Sequence, residues 1–153
     1  MSDIIIRDAE MSDLETLLRF EQNIVNSERP FDSTLRSGEI HYYPIRDMIT
    51  DPQVKIIVVV FEGQIIGSGF ARIEKALPYV AHLQHAWLGF MYVEPQHRGK
   101  GIVGIIIEEL RKWAASRNIT EMRLDVYHNN LPAFRAYEKA GFERHLVQMR
   151  MPV

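Results

Sequence analysis

The chain has 153 residues, long enough to bury a core without disulfide or metal support, and its 46% hydrophobic and 25% charged residues are ordinary for a globular protein. A formal net charge of −2 argues against broad binding to nucleic acid or to an anionic membrane, and the absence of cysteine excludes disulfides, thiolate metal sites and a cysteine nucleophile. Met1 to Glu10 carries no leader pattern and no apolar run approaches ~18 residues, so the expectation is a cytoplasmic protein without a membrane span.

Ile4-Ile5-Ile6 reads as a short strand, and Ser12-Asp13-Leu14-Glu15 has the form of a capping box opening a helix. At ~100° per residue, Leu14, Leu17, Leu18, Ile24 and Val25 share one face of that helix, and Glu21 falls near the middle of the same face. Ser27 to Gly38 reads as irregular, and a short helix is predicted over Pro44 to Thr50. Val54 to Phe61 is a nearly continuous β-branched run suited to a buried strand, turned by Glu62-Gly63-Gln64 into a strand from Ile65 to Ile73. After a loop with Pro78 comes a strand from Leu83 to Val93. A helix follows over Gly101 to about Arg117, with Ile102, Ile105, Ile106, Leu110 and Trp113 at helical spacing and Asn118 to end it. Met122 to Tyr127 reads as a strand, Pro132 to Ala140 as a helix closed by Gly141, and Phe142 to Met151 as a last strand. No repeat or linker interrupts this order, which predicts one mixed α/β domain over residues 1–153.

The passage from strand to helix at Val93-Glu94-Pro95-Gln96-His97-Arg98-Gly99-Lys100-Gly101 has two readings. Gly99 and Gly101 either shape a turn and nothing more, or let the backbone close on an anion, with helix-start amides aimed at phosphate and Arg98 and Lys100 adding charge. The Walker pattern is absent. The spacing Gly99, Gly101, Gly104 matches a dinucleotide fingerprint, but the surrounding strand order does not suit it.

Gln96-His97-Arg98-Gly99-Lys100-Gly101 also fits the signature Gln/Arg-x-x-Gly-x-Gly/Ala, and here the chain resembles the GNAT superfamily of acetyl-CoA-dependent N-acetyltransferases. A second block, Asn130, Ala133, Tyr137, Glu138, Lys139, Ala140, Gly141 and Phe142, looks like the same family and follows at the expected separation. The resemblance covers nearly the whole chain. It implies a mixed, mostly antiparallel central sheet flanked by helices, acetyl-CoA as cosubstrate, and no metal. It further implies that amides from Arg98 through Ile102 and Val103 to Gly104 hold the CoA pyrophosphate. The edge of Met91, Tyr92 and Val93 would pair with the pantetheine arm, while Asn130 contacts the cofactor beyond the pyrophosphate. Tyr137 aligns with the tyrosine that protonates the leaving thiolate in many members; its alternative is a core tyrosine.

For the base that relieves the amine of its proton there are two candidates. Asp125, twelve residues before Tyr137, resembles the strand carboxylate of the branch that acetylates protein N-termini, although an aspartate is one methylene shorter than the glutamate usual there. Glu94, at the strand end beside the cofactor turn, is the other, and could equally be a solvated residue before Pro95. A carboxylate in an apolar stripe is costly unless paired, so Glu21 either lines an acceptor cleft and binds the cationic amine or pairs with an arginine. Glu28, Arg29 and Arg36 lie in the segment that covers the acceptor site in this family, and Glu28 joins Glu21 as a substrate-binding candidate.

His82 and His85 have a three-residue spacing but no acidic partner in register, and no serine sits in a nucleophile elbow, so neither a metal site nor a serine hydrolase is expected. Without cysteine an acetyl-cysteine intermediate is impossible, and direct attack in a ternary complex is the natural route. The competing reading is a non-catalytic acyl-CoA-binding regulatory module; retention of both Tyr137 and Asn130 favours the enzyme. The acceptor amine is a small metabolite, an amino acid, an antibiotic or a protein N-terminus. Homodimerisation is common in the family, with the C-terminal strand Glu143 to Met151 as its expected contact.

Overall fold

The computed structural model describes residues 3–153. Its sheet runs in the order β1 (Ile5–Asp8), β2 (Val54–Phe61), β3 (Gln64–Lys75), β4 (Gln84–Val93), β5 (Met122–Arg123), with the first four antiparallel and β5 parallel to β4. The β2–β3 hairpin turns where expected, Glu62 and Gly63 both taking positive φ (50° and 78°) as a tight two-residue turn demands. Residues of β2 alternate between two cores. Ile57 and Val59 face α3 (Ile102–Ser116) and α4 (Leu131–Ala140), while Ile56 and Val58 face α1 (Leu14–Glu28) and α2 (Ile45–Ile49). The mostly antiparallel sheet flanked by helices agrees with the sequence expectation.

Helix α1 buries Leu17, Phe20, Glu21, Ile24 and Val25, close to the predicted face. Its entrance differs from expectation. The capping box is Glu10 with Asp13, two residues upstream of the Ser12 to Glu15 pattern, and Asp13 Oδ2 accepts the Glu10 amide at 2.8 Å. Arg7, on β1, decides this by gripping Asp13 at 2.7 and 3.0 Å, a tertiary contact that no local pattern reports. Gly101 at φ 78° opens α3, and Asn118 at φ 62° follows its end.

Two predicted strands fall short. β5 forms only over Met122–Arg123, paired with Ala86 and Trp87 of β4. The predicted Phe142 to Met151 strand does not form: the segment runs without strand partners and leaves Leu146, Val147, Met149 and Met151 exposed. Its alternating apolar pattern suits a strand, but side chains anchor it instead: Phe142 against Tyr137, Arg144 on Phe134 and Glu138, and Arg150 on Asp32 and Thr34.

Candidate active site

A bulge in β4 organises the site. The register with β3 slips between Ser68 and Phe70, and Phe90 is held at φ 59°, a backbone strain that an aromatic residue adopts only when its surroundings impose it. The slip reverses the facing of the strand. Leu88 faces the α3 core before it, Met91 and Val93 after it, while Trp87, Phe90 and Tyr92 face α1 and α2. Ladder pairing with β5 is confined to Ala86 and Trp87, so the far edge of β4 from Leu88 to Val93 stands open. That edge includes Met91, Tyr92 and Val93, and it can accept an extended amide-bearing chain as a sheet accepts a strand.

The turn beyond β4 continues this edge. Gln96 and His97 lie in a short helical turn, and His97 packs edge-on against Phe61. The Arg98 guanidinium folds back onto the Val93 carbonyl at 2.8 Å and over the Tyr92 ring, so its side chain braces the turn. From Gly99 through Lys100, Gly101, Ile102 and Val103 to Gly104, no amide has an intramolecular acceptor among the described residues; the first helical bond is Ile105 N–H to the Gly101 carbonyl. Positive φ (77° and 78°) accounts for glycine at 99 and 101. Gly104 is helical, and a Cβ there would meet nothing within 4 Å. Neither conformation nor crowding calls for glycine at that position, whereas a ligand lying across the helix start would. The row of free amides and the bare surface beside it fit a pyrophosphate.

Asn130 caps α4, its Oδ1 accepting the Ala133 amide at 3.4 Å, which leaves its NH2 group able to donate. About two helical turns further, Tyr137 packs against the α3-side core and against Phe142. Burial, reinforced by the negative charge of Glu28 and by Tyr43, pushes its phenol up to about 12. Glu28 and Tyr43 belong to α1 and to the loop packed on the opposite side of the sheet.

The chain beyond β5 alternates between these sides: Leu124 joins the α3-side core, and Tyr127 stacks on Phe31 and donates to Asp32 Oδ2 at 3.4 Å. Asp125 lies between them, its carboxyl raised above its ordinary value by burial. Glu94 lies on the α1 side, where Oε1 accepts the Tyr92 hydroxyl at 2.9 Å and meets Arg19 at 3.5 Å.

Glu21 is fully buried and fully engaged. Oε1 meets His41 Nδ1 at 2.9 Å, and Oε2 accepts the amides of Tyr42 and Tyr43 at 2.8 and 2.9 Å. Of the two readings of this residue the geometry favours pairing, with backbone amides and a histidine in place of the arginine expected. Its effect is to carry Tyr42 and Tyr43 to the sheet, where Tyr43 packs on Phe70 and Phe90 and its hydroxyl receives the strained Phe90 amide at 3.3 Å. Tyr42, Tyr43, Tyr127 and Asp32 escaped the sequence reading. The one signal was the Tyr42-Tyr43 pair in an otherwise irregular stretch. His82 and His85 do meet acidic partners, Glu121 at 3.4 Å and Glu74 at 3.7 Å, but no group among the described residues is arranged to hold a metal ion.

Residues 18–142 match the Acetyltransferase (GNAT) family, so the chain belongs to that family. A streptothricin acetyltransferase from Escherichia coli is 46% identical over 50 residues, a match that spans only 33% of this chain and 29% of that protein. Among solved structures, a tetramutant of the BH1408 protein from Bacillus halodurans superposes with a TM-score of 0.87 at 22% identity, covering 97% of this chain and 99% of that one. A predicted acetyltransferase from Clostridium acetobutylicum, solved with acetyl-CoA, superposes with a TM-score of 0.72 at 20% identity over 98% and 96% of the two chains. No described helix is long and apolar enough to cross a membrane.

Proposed function

We propose that residues 1–153 act as a single domain that transfers an acetyl group from acetyl-CoA to a primary amine by direct attack in a ternary complex. The observation that carries this reading is the placement of the free amides of Gly99 to Gly104, the unpaired β4 edge and Tyr137 together, with Met91, Val93 and Tyr137 all packed on the α3 side of the sheet. Acetyl-CoA supplies a thioester-activated acyl group. In this reading the amides hold the pyrophosphate, Met91 to Val93 align the pantetheine arm, and Asn130 donates to it. The amine nitrogen bonds to the carbonyl carbon, the carbon–sulfur bond breaks, and the surplus ammonium proton passes to a carboxylate.

For that carboxylate we favour Asp125 over Glu94. Partial desolvation raises the basicity of Asp125, which stays open to solvent, whereas Glu94 already accepts from Tyr92 and faces Arg19. Tyr137 meets the departing sulfur. A phenol near 12 remains protonated, yet complete transfer to a thiolate of reference value ~8.5 is uphill. Tyr137 therefore acts chiefly by hydrogen-bonding the thiolate as charge develops.

The streptothricin acetyltransferase relative supports an amine acceptor, and streptothricin belongs in the first panel. The test is CoA release from acetyl-CoA with that compound, amino acids, alkylamines and a peptide N-terminus. Acetyl transfer to any of them supports the enzyme. CoA binding with no transfer across the panel would replace it with the non-catalytic acyl-CoA-binding module. We further propose that two copies meet through Glu143 to Met151, a reading supported by the exposed apolar side chains of that unpaired segment.

A further inference from the structure

Glu28 is a half-buried carboxylate with no cation to account for it among the described residues. It is the last residue of α1, where the helix dipole places its negative end and disfavours an anion. Burial raises its carboxyl above the ordinary glutamate range. The two acids buried outright are provided for, Asp13 by Arg7 and Glu21 by His41 and two amides. Glu28 has no basic partner among the described residues, only the neighbouring Tyr42 phenol.

The cations nearby are committed elsewhere. Arg29, next in sequence, turns its guanidinium to the carbonyls of Arg36 and Gly38 at 2.8 and 2.6 Å. Arg150 holds Asp32 and Thr34, and Arg72 holds Glu74. Around Glu28 stand aromatic rings instead. Tyr42 and Tyr43 pack edge to face with centroids 5.8 Å apart, Tyr127 stacks on Phe31, and Tyr137 lies within reach of the Glu28 charge. The charge of Glu28 acts on all of these tyrosines. The buried Tyr42 hydroxyl is the polar group that meets this carboxylate. A partly desolvated carboxylate among tyrosines, with no cation to neutralise it among the described residues, is a receptor for an organic cation.

That cation is not the reacting nitrogen. Attack needs a free lone pair, and a carboxylate in a low-dielectric pocket stabilises ammonium over amine. We infer that Glu28, ringed by Tyr42, Tyr43, Tyr127 and Tyr137, anchors a second, protonated nitrogen of the acceptor, so that the acceptor class is a compound with at least two basic nitrogens. The inference rests on the acetyl-transfer reading above and goes beyond it in naming the substrate class.

Cadaverine and n-pentylamine have the same carbon chain and differ by one terminal amine. We expect wild-type protein to prefer cadaverine in kcat/KM by roughly 10- to 100-fold, the range of a charge-assisted hydrogen bond, with the difference in KM. Glu28→Gln should collapse that preference while acetyl-CoA affinity holds. Equal kcat/KM for the two amines in wild type would overturn the anchor. So would a Glu28→Gln loss shared by both amines, seen in kcat and accompanied by an altered pH profile, since that is the signature of a general base. If neither amine is acetylated, calorimetric titration of cadaverine into the CoA complex still decides. Binding that Glu28→Gln abolishes keeps the anchor and sinks the transfer reading, whereas no binding sinks the anchor.

Discussion

Glu21 Oε2 accepts the Tyr43 amide at 2.9 Å, and through that bond the middle of α1 holds the loop whose next contact is the strained Phe90 amide of β4. A fully buried carboxylate thus links a helix to the bulge that opens the sheet. Removing it leaves the Tyr42 and Tyr43 amides without acceptors. Glu21→Ala should lose roughly 2–5 kcal/mol of stability, read from the urea midpoint at constant slope. A loss below ~1 kcal/mol would mean that the loop is held by other contacts.

His41 supplies the other half of this link, and its pH dependence has a definite sign. The hydrogen bond to Glu21 raises the His41 pKa above its ordinary value. A raised folded pKa contributes stability that is fully present below the unfolded value near ~6.5 and is lost as pH rises through the higher folded one. Thermal melts should therefore show wild type losing stability above that pH relative to His41→Gln. Parallel curves for the two proteins would show that the charged pair contributes nothing.

Gly104 separates stability from binding. A helical glycine with open space at its Cβ position should accept alanine with a gain of a few tenths to about 1 kcal/mol. The same methyl would project from the surface proposed for the pyrophosphate. Gly104→Ala should thus melt higher without ligand yet bind CoA more weakly by calorimetry. Unchanged CoA affinity would move the phosphate site elsewhere.

Much of this arrangement was legible in the sequence, and the failures share a cause. β2 was readable because Val54 to Phe61 declares a strand residue by residue, and Gly99 with Gly101 because positive φ selects glycine. Glu21 was visible as a misfit in an apolar stripe. Its partners were not, because backbone amides carry no residue identity. The capping box was misplaced because Arg7, on another element, chose Asp13. The Phe90 bulge has no local signature, so neither the short β5 nor the reversed facing of β4 could be read ahead of the fold. Phe142 to Met151 has the pattern of a strand, but a pattern specifies a willing strand and not the edge that receives it.

Tyr137→Phe keeps the ring that packs on Phe142 and removes only the hydroxyl. Stability and CoA affinity should hold. Turnover with an accepted amine should fall by about 100-fold, the low end for general-acid assistance, since the phenol near 12 assists by hydrogen bonding more than by full proton transfer. Single-turnover rates monitored by thiol release would check this. Wild-type turnover in the variant would remove the role.

The C-terminal segment makes the last prediction. Leu146, Val147, Met149 and Met151 are 77–89% exposed, and the backbone that carries them has no strand partner. A row of exposed apolar residues on an unpaired extended segment favours pairing with another chain. If two copies meet there, replacing Leu146 and Met149 with aspartate should convert a dimer into a monomer by light scattering. Arg144 and Arg150, which tie the segment to Glu138 and Asp32, remain in place in that variant, so each copy keeps its own fold. A wild-type protein that is already monomeric at tens of micromolar, or a dimer that survives both substitutions, would rule this segment out as the contact.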